Sequence, residues 1–128
     1  MMAALTVEAR LGETQSAIEK RFGKPTAKDG KRLIFAGKDG TAVVEFIDGK
    51  SAAEWYMMPN GKDGKPSEMS WDTILELMSK QAGGSQWKET VKNGKNRQWV
   101  RENRTAVCSY DVDRRMLSFV TREWANKN

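Results

Sequence analysis

The sequence predicts an α+β fold in which two tandem repeats, each a helix followed by antiparallel strands, form one curved antiparallel sheet with the helices packed on one face. Two observations support this prediction. Short runs rich in Val, Ile, Thr and aromatic residues alternate with glycine-containing turns, a pattern typical of a strand meander. Each half of the chain also opens with a stretch of helical periodicity that ends at glycine.

The first half predicts one helix and three strands. Thr14 is a good N-cap for a helix over 14–22, and Gly23 supplies the left-handed stop. Three runs of β-branched and aromatic residues follow, separated by short turns, so an antiparallel meander is expected. The predicted strands are 31–36, 41–47 and 51–58.

The second half repeats this order after a polar loop over 59–69. Ser70 is the expected N-cap of the second helix, which ends at Gly83-Gly84. Apolar residues recur at helical spacing and define its predicted core face: Trp71, Ile74, Leu75, Met78 and Ala82. The predicted strands are 86–91, 96–101, 105–112 and 116–123. All 128 residues suit a single domain.

An internal repeat is visible when the chain is displaced by 64 residues. The residues that then superimpose include Thr41 on Thr105, Ala42 on Ala106, Val43 on Val107, Val44 on Cys108, Ala53 on Leu117 and Trp55 on Phe119; one turn residue fewer brings Arg32 onto Arg97 and Ile34 onto Trp99. We interpret the repeats as about 11–58 and 70–124. Chance similarity between two strand-rich stretches is the alternative interpretation.

Alternation along each strand divides the predicted sheet into a core face and a face open to water or to a partner. The predicted core face carries Ala42, Val44, Phe46, Ala53, Trp55, Met57, Ala106, Cys108, Tyr110, Val112, Leu117 and Phe119. The predicted open face carries Val43, Glu45, Ile47, Glu54, Tyr56, Met58, Val107, Ser109, Asp111, Met116, Ser118, Val120 and Arg122.

Composition argues against most catalytic chemistry. The chain has no histidine, which removes the commonest general base and metal ligand, and we predict no cofactor and no metal. Its single cysteine, Cys108, cannot form an internal disulfide, and we predict a buried hydrophobic role for it. The net charge of +5 favours an anionic partner, but it is spread evenly, as on an ordinary solvated surface.

Carboxylates offer two further hypotheses. Glu45, Glu54 and Asp111 share the predicted open face, so a small hydrolase with paired carboxylates is one alternative. Asp111 and Asp113 form an Asp-x-Asp fragment of a calcium loop, but the glycine and final glutamate of that pattern are missing. A turn at 113–114 is the preferred interpretation.

Two segments carry a family resemblance. The stretch Leu11-Gly12-Glu13-Thr14, continued by Ile18 and Phe22-Gly23-Lys24-Pro25, is similar to the opening motif of the SmpA/OmlA-type outer-membrane assembly lipoproteins. Val44-Glu45-Phe46-Ile47-Asp48-Gly49-Lys50 resembles the aromatic strand segment that follows it. A tandem version resembles the β-lactamase inhibitor protein, whose eight-stranded sheet grips another protein with its concave face. The resemblance implies a fold and a periplasmic or secreted binding role, with no functional residue carried over.

The sequence therefore predicts a monomeric, non-catalytic module that binds another protein and has no membrane span. The predicted partner-binding residues are Glu45, Tyr56, Met58, Trp87, Ser109, Met116, Arg122 and Trp124. A cytoplasmic nucleic-acid-binding protein is the alternative. It would use a basic sheet face bearing aromatic residues: Arg97, Arg101, Arg104, Arg114, Arg115 and Arg122 with Trp99, Tyr110 and Phe119.

Overall fold

In the part of the chain that the structure describes, one eight-stranded antiparallel sheet is accompanied by three short helices. The structure is a computed structural model that describes residues 10–81, 86–93 and 96–127. The elements are α1 (Gln15–Phe22), β1 (Ala27–Asp29), β2 (Arg32–Gly37), β3 (Gly40–Ile47), β4 (Lys50–Met57), α2 (Trp71–Lys80), β5 (Trp87–Asn93), β6 (Asn96–Arg101), β7 (Ala106–Asp111), β8 (Met116–Thr121) and α3 (Arg122–Lys127). The strand order β1-β2-β3-β4-β8-β7-β6-β5 joins two four-stranded meanders through β4 and β8.

The predicted N-caps of α1 and α2 are confirmed. The Thr14 hydroxyl accepts a hydrogen bond from the Ala17 amide at 3.2 Å, and the Ser70 hydroxyl accepts one from the Thr73 amide at 3.2 Å. Each cap satisfies a first-turn amide that has no partner within the helix. The predicted end of the second helix at Gly83-Gly84 lies outside the described residues.

Replacing Ser70 by alanine is expected to lower the free energy of unfolding by about 1 kcal/mol, because the Thr73 amide loses its acceptor. Ser79→Ala is the matched control, since Ser79 is an exposed residue of the same helix. Urea denaturation followed by circular dichroism measures both variants. Equal losses for the two would show that the cap contributes nothing.

Two elements were not predicted. The three residues of β1 are all exposed and show no apolar alternation that could mark a strand. The strand predicted over 116–123 ends at Thr121, where the chain turns into α3. The Thr121 hydroxyl accepts a hydrogen bond from the Trp124 amide at 3.1 Å, so it caps the new helix as Ser70 caps α2.

The buried apolar residues form two clusters on the core face, the side of the sheet against which side chains of α1 and α2 lie. The smaller cluster consists of Ile18, Leu33, Phe35 and Val44. The larger consists of Ala42, Tyr56, Met69, Ile74, Leu77, Met78, Trp99, Cys108, Tyr110, Leu117 and Phe119. Cross-strand pairing connects them, because Phe35 of the smaller cluster pairs with Ala42 of the larger.

The predicted faces of β4 were wrong because the strand contains a β-bulge. Phe46 pairs with Ser51 and Glu45 pairs with Ala53, which leaves Ala52 as an extra residue. One extra residue moves every later side chain of the strand to the opposite face of the sheet. Glu54 and Tyr56 therefore lie on the core face, each 0% exposed. Ala53, Trp55 and Met57 lie on the opposite face.

The alternation predicted for β7 and β8 is confirmed, because Ala106, Cys108, Tyr110, Leu117 and Phe119 are buried and the residues between them are half-buried. Val112 was assigned to the core but follows the end of β7 and is 36% exposed. The assigned face of α2 also needs correction. Trp71 and Leu75 are 42% and 44% exposed, because the helix buries the stripe Thr73, Ile74, Leu77 and Met78 instead.

Candidate protein-binding face

The open face is the side of the sheet opposite the core face. Paired residues cross it in rows. One row runs Ile34, Val43, Trp55, Ser118, Ser109 and Gln98; the next runs Arg32, Glu45, Ala53, Val120, Val107, Val100 and Lys88. Most of these side chains are half-buried, so the open face presents apolar groups at the centre of several strands with polar and charged groups between them.

The α3 helix turns back onto the open face and covers part of it. Its Trp124 packs edge-on against Trp55, with ring centroids 5.6 Å apart at 75°. Trp124 Nε1 donates a hydrogen bond to Glu45 Oε2 at 2.5 Å. Arg32 completes the group, with its Nε 3.1 Å from Glu45 Oε1 and its guanidinium carbon 4.5 Å from the Trp55 ring centroid. We call these four residues the Trp124 cluster.

The cluster corrects the prediction that helices lie on one face only. Trp124, predicted as a contact for a partner, instead contacts this chain's own sheet. Glu45, predicted for the same role, lies on the open face as expected but is 9% exposed and already bonded to Arg32 and Trp124. The two residues therefore hold α3 in place.

Replacing Trp124 by alanine is expected to lower the free energy of unfolding by about 2 kcal/mol, because a half-buried indole and its contact with Trp55 are lost. Glu45 would also lose a hydrogen-bond donor. Trp55 should then be exposed to water, which shifts tryptophan emission to longer wavelength. The variant W124F keeps a ring without the indole N–H and should lose less stability. An unchanged emission maximum in W124A would contradict the packing.

Beside α3 lies a groove of about 710 Å³ that we call the basic groove. Val100 and Val107 pair across β6 and β7 and belong to its floor. Arg122 and Ala125 of α3 line one side, and Lys88 of β5 lines the other. Arg104, in the turn between β6 and β7, lines its end. The groove thus combines an apolar floor with a cationic rim.

Three other predicted binding residues lie as follows. Ser109 and Met116 are half-buried on the open face, where Ser109 pairs with Ser118 and Met116 pairs with Met57. Arg122 is exposed in α3 rather than in a strand, and it lines the basic groove. These placements leave all three accessible from the open side of the sheet.

Tyr56 and Met58 do not lie on the open face, so their predicted placement there was wrong, and Trp87, predicted as a partner contact, does not lie there either. Tyr56 is fully buried within the larger cluster, and Met58 packs against that cluster beyond the end of β4. Trp87 also packs there, 5.9 Å from Phe119 between ring centroids. Its indole N–H donates to the Met78 carbonyl at 2.8 Å and satisfies a group of the last turn of α2.

A buried carboxylate lies at the centre of the core face. Glu54 accepts hydrogen bonds from Ser51 Oγ at 2.5 Å, Tyr56 OH at 2.7 Å and Gln81 Nε2 at 2.5 Å. Desolvation by burial raises the pKa of the Glu54 carboxyl above its ordinary value of 4.5, although these three hydrogen bonds act in the opposite direction. Gln81 in turn accepts from the Leu11 amide at 2.9 Å. We call Ser51, Glu54, Tyr56 and Gln81 the Glu54 network.

The carboxylates named for a hydrolase do not share a face. Glu54 is sealed in the core, whereas Glu45 and Asp111 belong to rows of the open face. Asp111 Oδ1 accepts hydrogen bonds from the amides of Asp113 and Arg114, at 3.0 and 3.1 Å, which is the turn role preferred from the sequence. Among residues 10–81, 86–93 and 96–127, no group of three or more acidic or cysteine side chains could hold a metal ion.

The remaining candidates are core residues. Cys108 is 0% exposed inside the larger cluster, as predicted, and burial raises the pKa of its thiol. Trp99, Tyr110 and Phe119, named as a base-stacking platform, are 5%, 6% and 0% exposed. The nucleic-acid alternative needs these rings to be accessible, but they face the helices rather than water. For Tyr110 and Phe119 this burial is what the strand alternation predicts.

No protein-family model and no curated protein matches the chain. Two solved chains match its fold. One of them is a cysteine-rich secretory protein from Staphylococcus aureus, with 12% sequence identity and a TM-score of 0.48 over 89% of this chain. The match covers 45% of that protein, so the chain spans about half of its length, and a similarity this distant carries no information on function.

The longest described helix, α2, has ten residues, and no described helix is long and apolar enough to cross a bilayer.

Proposed function

We propose that the chain is a non-catalytic protein-binding module whose partner lies on the open face beside α3. The observation that carries this proposal is the basic groove, in which half-buried valines form a floor and cations form the rim. Protein interfaces have this arrangement, with an apolar centre that loses its water and a polar rim that stays hydrated. The opposite side of the sheet instead carries the packed core, to which the helices α1 and α2 contribute.

The proposed duplication, with a sheet face that α3 covers only in part, supports the same function. Each half of the chain has a helix and a four-stranded meander, and the last strands of the two meanders pair. The displacement by 64 residues superimposes β3 on β7 as proposed, but the strands that pair with them correspond at a different offset. Leu33 pairs with Val44 and Trp99 pairs with Cys108, so Leu33 rather than Ile34 corresponds to Trp99. The bulge in β4 shifts Glu54 onto Phe119 for the same reason.

The proposed setting is periplasmic or secreted, with a monomer as the binding unit. The support is the resemblance of the opening motif and of the tandem arrangement to envelope and secreted binding proteins. Within that setting the single buried cysteine is no obstacle, because this fold forms its core without disulfides.

The test is capture of a partner by the immobilised protein from periplasmic, secreted and cytoplasmic fractions, with identification by mass spectrometry. The variant is Val107→Asp, which places a carboxylate on the groove floor. Val112→Asp is the matched control, because it makes the same change at an exposed valine outside the groove. We expect a partner retained by the wild type and by V112D and lost from V107D.

A partner retained equally by all three proteins would overturn the proposed surface. If V107D fails to fold, as judged by circular dichroism, Ala125→Asp replaces it, since Ala125 is an exposed α3 residue that lines the same groove. Nucleic acid as the only retained macromolecule would overturn the proposed partner class.

A further inference from the structure

We infer that the segment bound in the basic groove is acidic, with an apolar side chain flanked by carboxylates. This inference rests on the proposed function and specifies its partner.

The charges around the groove favour an anionic occupant. Lys88, Arg104 and Arg122 form no ion pair with any residue that the structure describes. Other cations of the sheet do have acidic partners: Arg32 is paired with Glu45, and Arg97 holds Glu89 through two hydrogen bonds, at 2.7 and 2.9 Å. One acid, Glu102, lines the groove. Cations gathered over a low-dielectric floor raise the local potential for an anion.

The positions of the cations define what fits between them. Lys88 pairs with Val100, and Val100 pairs with Val107, so the floor lies directly beside one cation. Arg122 and Ala125 are three residues apart and share one side of α3. The Trp124 cluster fixes α3 on the sheet, and with it the Arg122 side of the groove. An apolar side chain bound on Val100 and Val107 would therefore lie between Lys88 on one side and Arg122 on the other.

Polypeptide fits this site better than nucleic acid does. Single-stranded nucleic acid is held by aromatic side chains on which bases stack, together with a cationic track for the phosphates. Here the floor is valine, and the open-face rings of Trp55 and Trp124 are packed against each other. In a peptide, carboxylates could pair with the cations of the rim while a neighbouring Leu or Val packs on the apolar floor.

The test uses short fluorescein-labelled peptides and fluorescence polarisation. The probe alternates Glu with Leu; the matched probes carry Gln with Leu, Glu with Ser, and Lys with Leu. We expect the Glu/Leu peptide to bind on the order of tenfold more tightly than the Gln/Leu and Glu/Ser peptides, with affinity that falls as salt rises. Lys88→Glu and Arg122→Glu should each weaken it by on the order of tenfold, whereas Lys38→Glu, in the exposed β2–β3 turn, should not.

Several outcomes would overturn the inference. Equal binding of the Glu/Leu and Gln/Leu peptides would show that negative charge does not contribute to binding. Preferential binding of the Lys/Leu peptide would show that the groove selects a basic segment. Binding of a labelled oligothymidylate that is lost in K88E and R122E, without peptide binding, would assign the groove to nucleic acid. If no peptide binds but V107D still abolishes capture of a protein partner, the acidic segment is wrong while the proposed function stands.

Discussion

Replacing Phe119 by alanine is expected to lower the free energy of unfolding by about 3–5 kcal/mol, the largest loss we expect from a single core substitution. Phe119 is 0% exposed and lies in β8, one of the two strands that join the meanders. Its ring contacts Tyr56 edge-on, with centroids 5.9 Å apart at 79°, and Trp87, also at 5.9 Å. Truncation would remove aromatic contacts and leave a cavity that close packing cannot refill.

Phe46→Ala is the matched control for this substitution. Phe46 is half-buried at the edge of the smaller cluster, so its removal opens the core to solvent instead of enclosing a void. We expect less than half the loss seen in F119A, measured as the change in urea midpoint with an unchanged slope. The near-ultraviolet circular dichroism of F119A should also weaken, because Tyr56 loses its packed neighbour. Equal losses in the two variants would contradict the assignment of Phe119 to the centre of the core.

The sequence predicts the fold well where local chemistry decides the outcome. The caps at Thr14 and Ser70, the strand alternation around Cys108 and the order of helices and strands depend on near neighbours. The elements that were missed have weak local signals. The β1 strand (Ala27–Asp29) has three exposed residues. Thr121, which caps α3, is the last residue of an apolar strand, so the apolar pattern predicts that the strand continues past it.

The candidate site was harder to predict because one residue decides it. Regular pairing beyond the two-residue turn at 48–49 would pair Glu45 with Ala52 and place Tyr56 on the open face. The bulge instead places Tyr56 and Glu54 in the core, where three donors satisfy the carboxylate. One of these donors is Gln81, which is distant in sequence. No local sequence pattern could therefore show that the buried Glu54 carboxylate has hydrogen-bond partners. The same residue shift brings Trp55 to the face where Trp124 meets it.

The free energy of unfolding of the wild type is expected to fall as pH rises, and replacing Glu54 by glutamine is expected to abolish this fall. Burial raises the pKa of Glu54 in the folded protein above 4.5, so the folded state holds this proton more tightly than the unfolded state does. Below pH 4.5 both states are protonated and the contribution is fully present. As pH rises from 4.5 toward the folded-state pKa, the unfolded state loses this proton while the folded state keeps it, so stability falls by up to about 1.4 kcal/mol per pH unit and levels off above that pKa.

Thermal or urea unfolding across this pH window measures the difference between E54Q and the wild type. Glutamine stays neutral, so E54Q should show a flatter profile and exceed the wild type at neutral pH if its amide keeps the hydrogen bonds. Glu19→Gln is a control of opposite sign. Hydrogen bonds from Gln15 and Lys24 lower the pKa of the half-buried Glu19, and its stabilisation is therefore present above its ordinary pKa and lost as pH falls. Parallel wild-type and E54Q profiles would exclude ionisation of Glu54.

Glu54→Leu separates the hydrogen bonds from the charge. Leucine has a similar volume but accepts nothing, so Ser51, Tyr56 and Gln81 lose an acceptor inside the core. We expect E54L to be about 2–4 kcal/mol less stable than E54Q at every pH, because buried donors without partners carry a desolvation cost. Gln81 also accepts from the Leu11 amide, so faster hydrogen exchange at that amide should accompany the loss. If E54L matches E54Q, the Glu54 network is not what makes a buried carboxylate tolerable here, and the bulge that buries it would need another cause.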